Sequence, residues 1–226
     1  MWTLPEPPPY GNVGPVFHWL NKGDVVHRVF DPTRYGATAN GFRYAGPFAR
    51  FDHHVTTERR GIMYAAENFG GALSLVFAGH TEAGYAGSYY YSAIVLQQSV
   101  RLLDVRPGSA PKAGAHRLIG IAPTLAIAQR WSRHFYGDAK YGGIAGLVYS
   151  LENGRTAYAF YDRSFNGELG YCQSVGGLSQ KGPIRDEALI WAARLGFMID
   201  FDVTRDPDDT GDLDDAGDPE RSVDSD

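Results

Sequence analysis

Arginine is the residue type best placed to do chemistry in this chain. Of its 21 basic residues only 4 are lysine, and Arg28, Arg34, Arg43 and Arg50 stand among aromatic residues in the stretch 28–51. Guanidinium groups fork onto phosphate oxygens and stack on flat rings, a combination that suits a dinucleotide. A GC-rich genome is a plainer origin for any single arginine. Arg28 differs because it interrupts the otherwise apolar run VVHRVF, Val25–Phe30. An arginine inside such a run requires either an anionic partner or an exposed face. Other groups with chemical potential are Asp52-His53-His54, Tyr64 in GIMYAA, Glu67 just after it, and Ser150 at the end of GLVYS. If 53 and 54 lie on a strand, their rings point to opposite faces, so the pair is a poor metal site and none is expected. No P-loop, dinucleotide-binding glycine fingerprint, nucleophile elbow or His-Glu-x-x-His occurs.

The elements that must position these groups are mostly short strands. Val25–Phe30, Gly61–Ala66, Ser88–Leu96, Val100–Val105, Ile144–Tyr149 and Thr156–Tyr161 are apolar, β-branched or aromatic runs bounded by turn residues. Glu152-Asn153-Gly154 closes a hairpin between two of them. Three helices are predicted. Asn68 caps one running to about Phe77, with Gly79 as its stop. Ala122–Phe135 places Leu125, Ala128, Trp131 and Phe135 on one face. Asp186–Leu195 has an acidic start and Gly196 at its end. Thr33–His54 reads as strand fragments and ordered loops, and Phe197–Val203 as a last strand. Strands outnumber helices without alternating with them, so the expected class is α+β.

Composition bounds the function. The chain has 226 residues, a net charge of −5 and one cysteine, Cys172. That excludes an internal disulfide framework and a thiolate metal cluster. No window reaches the roughly 18 apolar residues of a membrane span, and the N-terminus lacks a secretory layout, so a cytoplasmic location is expected. The charge is unevenly divided. Residues 202–226 hold 11 of the 26 acidic residues and 2 of the 21 basic ones, leaving a body of 15 acids and 19 bases. A surplus of that size does not argue for nucleic-acid binding. Three segments follow: an extended arm over 1–23, with Trp2 and Tyr10 as its aromatic contacts, a folded domain over 24–201, and a disordered acidic tail over 202–226.

The order of several strings carries more information than any one of them. His27-Arg28-Val29-Phe30-Asp31-Pro32 is followed by Phe42-Arg43-Tyr44-Ala45-Gly46-Pro47-Phe48-Ala49-Arg50-Phe51-Asp52-His53-His54, then by Arg60-Gly61-Ile62-Met63-Tyr64-Ala65-Ala66 and Ala72-Leu73-Ser74-Leu75-Val76-Phe77. Downstream come Gly146-Leu147-Val148-Tyr149-Ser150 and Ala157-Tyr158-Ala159-Phe160-Tyr161. Over roughly residues 24–165 this arrangement resembles the RES domain. The resemblance implies a fold related to ADP-ribosyltransferases, with NAD as substrate in a cleft between small β-sheets. It also implies a toxin that hydrolyses or phosphorolyses NAD or transfers ADP-ribose, requires no metal, and is countered by a helix-turn-helix antitoxin protein.

By the same resemblance, Arg28 and Arg50 hold NAD phosphates or ribose, Tyr64 stacks on nicotinamide or bonds ribose, and Ser150 bonds the carboxamide or ribose. On the residues alone, an aromatic in an apolar strand such as Tyr64 is normally a core tyrosine, and Ser150 reads as a turn serine. The family glutamate falls where this chain has Leu75. A carboxylate there would stabilise positive charge on ribose as nicotinamide leaves, and losing one such group typically costs on the order of 100- to 1000-fold. Glu67 or Asp52 could substitute, Asp52 as a polar pair with His53. Otherwise the chain is a catalytically degenerate RES fold serving as a binding or regulatory module, or Leu75 is an inactivating replacement. The acidic tail is either solvated or folds back over an arginine-lined cleft.

Overall fold

The computed structural model describes residues 4–7, 14–78 and 84–201. The expected contacts of Trp2 and Tyr10, the helix stop at Gly79 and the acidic tail 202–226 lie outside the described residues. Eight strands form one mixed sheet in the order β1-β6-β7-β8-β3-β2-β5-β9. They are β1 (Phe17–Leu20), β2 (Val25–Phe30), β3 (Ile62–Ala66), β5 (Tyr90–Leu96), β6 (Val100–Asp104), β7 (Gly146–Ser150), β8 (Thr156–Tyr161) and β9 (Gly170–Gly177). All neighbours run antiparallel except β6 and β7. A second, two-stranded sheet pairs β4 (Gly84–Tyr85) with β10 (Ile199–Asp200) in parallel. The helices are α1 (Phe69–Phe77), α2 (Leu125–Gly137) and α3 (Pro183–Leu195). None of them is long and apolar enough to cross a membrane.

Local chemistry explains most boundaries. The Asn68 side chain accepts the Gly71 N–H at 2.9 Å and caps α1, as its position predicts. Gly196, at φ +75°, closes α3, and Pro183 opens that helix earlier than its first acid suggests. Helix α2 starts three residues later than expected, because 119–121 form a separate 3₁₀ turn ahead of it. Gly146 is required where β7 begins: at φ +150° a Cβ would sit 2.1 Å from the Ala159 carbonyl oxygen.

Three strands, β1, β4 and β9, are absent from the sequence reading. β1 extends the sheet into the segment expected as an arm, pairing Phe17 with Leu103. Residues 4–7 are also held to the body: Leu4 is buried and the Trp131 Nε1–H donates to the Pro5 carbonyl at 2.8 Å. β9 is a Gly-, Ser- and Gln-containing edge strand whose side chains are largely exposed, so no apolar alternation announces it. Three apolar clusters fill the body. One packs α2 through Trp131 and Phe135 onto Phe51, Tyr149 and Tyr161; a second surrounds Met63, Ile94 and Phe160; the third joins α1 and α3 to Val29 and Tyr91.

Candidate functional site

Strands β2 and β3, the loop 31–50, the start of α2, the C-terminal half of α1 and the β7–β8 turn enclose a cleft of ≈ 780 Å³. That volume lies in the ~300–1,000 Å³ range of small-molecule sites. Arg28 reaches it from β2. Side chains alternate along a strand, so His27 faces the other way and its Nδ1 pairs with the Tyr91 hydroxyl at 2.7 Å. Arg28 is 6% exposed, and its Nε has no hydrogen-bond partner among the described residues. None of the ion pairs among those residues includes it. Its guanidinium lies 5.5 Å from the Phe30 ring centroid. Burial, with a smaller push from Arg43, brings its pKa down to about 10. A buried cation without a counter-ion is expensive, so an anion entering the cleft would gain from meeting it.

Asp52 is the hub that shapes the neighbouring wall. It is fully buried and accepts both contacts of the Arg43 Nη2 at 2.8 Å, the Phe48 and Ala49 N–H groups at 2.6 and 3.0 Å, and the Tyr64 hydroxyl at 2.9 Å. Tyr64 accepts the Phe51 N–H at 2.9 Å in turn. Arg43, Phe48, Ala49 and Tyr64 all line the cleft, whereas Asp52 does not. Asp52 therefore positions the wall and does not offer it a carboxylate. Burial and the Asp52 charge hold the Tyr64 phenol well above its ordinary pKa. Its hydroxyl is a fixed donor and its ring is the part available to a ligand.

The expected Asp52–His53 pair is not formed. His54 approaches instead, its Nδ1 at 3.9 Å from Asp52 Oδ2. His53 is buried between Tyr136 and Tyr161, with centroids 4.5 and 4.3 Å away, and neither ring nitrogen has a partner among the described residues. Among those residues, no group of three His, Cys, Asp or Glu could hold a metal ion. Burial, then the charges of Arg60, His54 and Arg163, push the His53 pKa down to about 2. The unfolded chain binds this proton near its ordinary pKa of about 6.5 and the folded chain does not, so stability falls as pH drops below that value. His53→Phe is expected to remove on the order of 2 kcal/mol of the stability lost between pH 7.5 and pH 5. Urea unfolding of both proteins at the two pH values measures the difference.

Arg50 also lines the cleft, and its Nη1 donates to the Ala122 carbonyl. Leu125, expected on the buried face of its helix, is 44% exposed and stands on the cleft wall. Ser150 is not on that wall. Its neighbours Tyr149 and Leu151 are, because alternate residues of β7 face it, and Ser150 sits opposite Thr156 in the ladder. Glu67 is exposed at the end of β3 and does not line the cleft either. Neither substitute carboxylate is therefore placed there.

Leu75 does line it, beside Ser74, whose Oγ donates to the Gly70 carbonyl at 2.8 Å and accepts from Asn153 Nδ2 at 2.9 Å. That bond ties the β7–β8 turn to α1. Among the described residues, the carboxylates on the wall are Asp31 and Glu152. Asp31 is occupied by Thr33, by Ser88 and by Arg34, the last at 3.2 Å. Glu152 is exposed and takes part in none of the ion pairs among the described residues. It stands next to Asn153, whose side chain bonds Ser74, and it shares the cleft wall with Leu75. Its sequence context announces a hairpin turn and nothing more, which is why it is not among the predicted site residues.

No protein-family model matches the chain, and no curated protein matches it in sequence. Among solved structures, the chain is similar to one from the crystal structure of the M. tuberculosis MbcT–MbcA toxin–antitoxin complex. The identity is 12% and the TM-score 0.42, over 70% of this chain and 85% of that one.

Proposed function

We propose that the cleft binds NAD and that the protein cleaves the bond between nicotinamide and ribose, as a toxin-like enzyme. The observation that carries this reading is Arg28, a buried guanidinium with no counter-ion among the described residues, open to a cleft. The RES-like order of strings around it supports a dinucleotide as the anion. In this reading Arg28 and Arg50 hold the diphosphate, Arg43 completes the cationic wall, and the ring of Tyr64 packs against the nicotinamide ribose. Ser150 is left out of the contacts, and Ser74 with Asn153 supplies the polar groups on that wall.

Cleavage breaks the anomeric carbon–nitrogen bond, its electron pair passing to nicotinamide, which leaves neutral. The positive charge that nicotinamide carried shifts to the ribose anomeric carbon and ring oxygen. Glu152 faces that charge in place of the carboxylate that Leu75 does not provide. Water, phosphate or a protein side chain then bonds to the anomeric carbon, and an acceptor that attacks through an O–H or N–H group releases that proton to solvent. A helix-turn-helix antitoxin that covers the cleft would be the natural partner of such an activity.

Leu75 favours a second reading, a catalytically degenerate fold that binds NAD without cleaving it. Incubating the purified protein with NAD and following nicotinamide by chromatography separates the two. Steady release is expected. Binding without release favours the degenerate module, and absence of NAD binding overturns both.

A further inference from the structure

The cleft carries a feature that no catalytic role uses. Tyr35 and Phe48 both line it, yet they are 55% and 48% exposed. Their rings stack on each other, centroids 4.3 Å apart and planes inclined by 25°. Each ring shields one face of the other and leaves the rest to solvent, an uncommon use of two large aromatics on one loop. The backbone is strained to hold them: Tyr35 has φ +57°, a region that a bulky residue occupies only at a cost. Among the described residues it is the one non-glycine with positive φ. Gly36 follows at φ +65°, so the chain accepts glycine in this turn and nevertheless has tyrosine at 35.

The aromatic pair is also coupled to the cationic wall. The Arg43 guanidinium lies 5.3 Å from the Phe48 centroid, and the same group is held in place by Asp52 and acts on Arg28. A ligand that satisfies both features needs an anionic group for Arg28 and Arg43 and a flat ring for Tyr35 and Phe48. That is the chemistry of a nucleotide.

We infer that the Tyr35–Phe48 pair is a stacking platform for the adenine base of the bound dinucleotide. This rests on the cleft being the NAD site. The platform belongs to the loop 31–50, whereas Glu152 belongs to the β7–β8 turn that Asn153 ties to α1. With the nicotinamide end set at Glu152 in the proposed function, the ring left for the platform is the adenine.

The test compares NAD with nicotinamide mononucleotide, which lacks the adenosine half, by isothermal titration calorimetry on the full chain. Tyr35→Ala and Phe48→Ala are expected to weaken NAD about tenfold, the effect of losing one base–aromatic stack, and to leave the mononucleotide unchanged. Tyr35→Phe keeps the ring and should bind as the parent does. Tyr35→Gly relieves the strain, so its Tm should be equal or higher while its NAD affinity falls as in Tyr35→Ala. NAD binding that survives both alanine substitutions, or mononucleotide binding that falls in parallel with NAD, overturns the platform. A protein that binds ADP-ribose through these rings but releases no nicotinamide keeps the platform and loses the catalytic reading. A protein that binds neither NAD nor the mononucleotide overturns both.

Discussion

Glu152→Gln is expected to slow nicotinamide release from NAD by on the order of 100- to 1000-fold with little change in NAD affinity. The amide is nearly isosteric with the acid, so the substitution removes the charge and leaves the turn intact. The effect should fall on the chemical step because the positive charge on ribose develops only as nicotinamide departs. A carboxylate that faces it stabilises the transition state far more than the bound substrate. The other carboxylate on the wall, Asp31, is engaged by Thr33, Ser88 and Arg34 and is not free to take over. Leu75→Glu placed on top of Glu152→Gln is expected to restore part of the rate, since positions 75 and 152 line the same cleft and Asn153 holds the turn against Ser74. Release unaffected by Glu152→Gln removes this residue from the mechanism while leaving the binding site in place.

Arg28→Met is expected to reduce NAD affinity by about 100-fold or more, because truncating a buried charge that meets a phosphate typically costs about 2–5 kcal/mol. The same substitution should make the free protein more stable. Methionine supplies apolar packing without a charge, and replacing buried ionic groups by apolar ones is often neutral or stabilising, by up to about 4 kcal/mol. Opposite signs for binding and stability distinguish a ligand-binding arginine from a structural one, for which both would fall together. Calorimetric titration with NAD and urea unfolding of the free protein read the two quantities.

What the sequence revealed and what it concealed divide along a physical line. Strands such as Val25–Phe30 and Thr156–Tyr161 were legible because their apolar, β-branched and aromatic residues are buried on the sheet. Arg28 was legible for the same reason in reverse: a charge inside such a run is conspicuous. β9 was not, because an edge strand is held by backbone hydrogen bonds and its side chains can be polar or absent. Asp52 and Glu152 show how little a carboxylate's sequence neighbours say about its role. Asp52 lies among aromatics and arginines and suggests catalysis, yet it is sealed beneath the wall it organises. Glu152 occupies an ordinary turn, yet it lines the cleft beside Asn153, which bonds to a helix residue 79 positions away in sequence. Ser150 lies off the cleft wall by one step of strand alternation, which no linear spacing fixes until the register with Thr156 is known.

A crystal structure of the Glu152→Gln protein soaked with NAD tests the proposal that this cleft is a site for NAD cleavage most directly. The diphosphate is expected on Arg28, with position 152 facing the nicotinamide ribose. A dinucleotide bound with its diphosphate away from Arg28, or a cleft that takes up no NAD at concentrations far above those in solution assays, would contradict it.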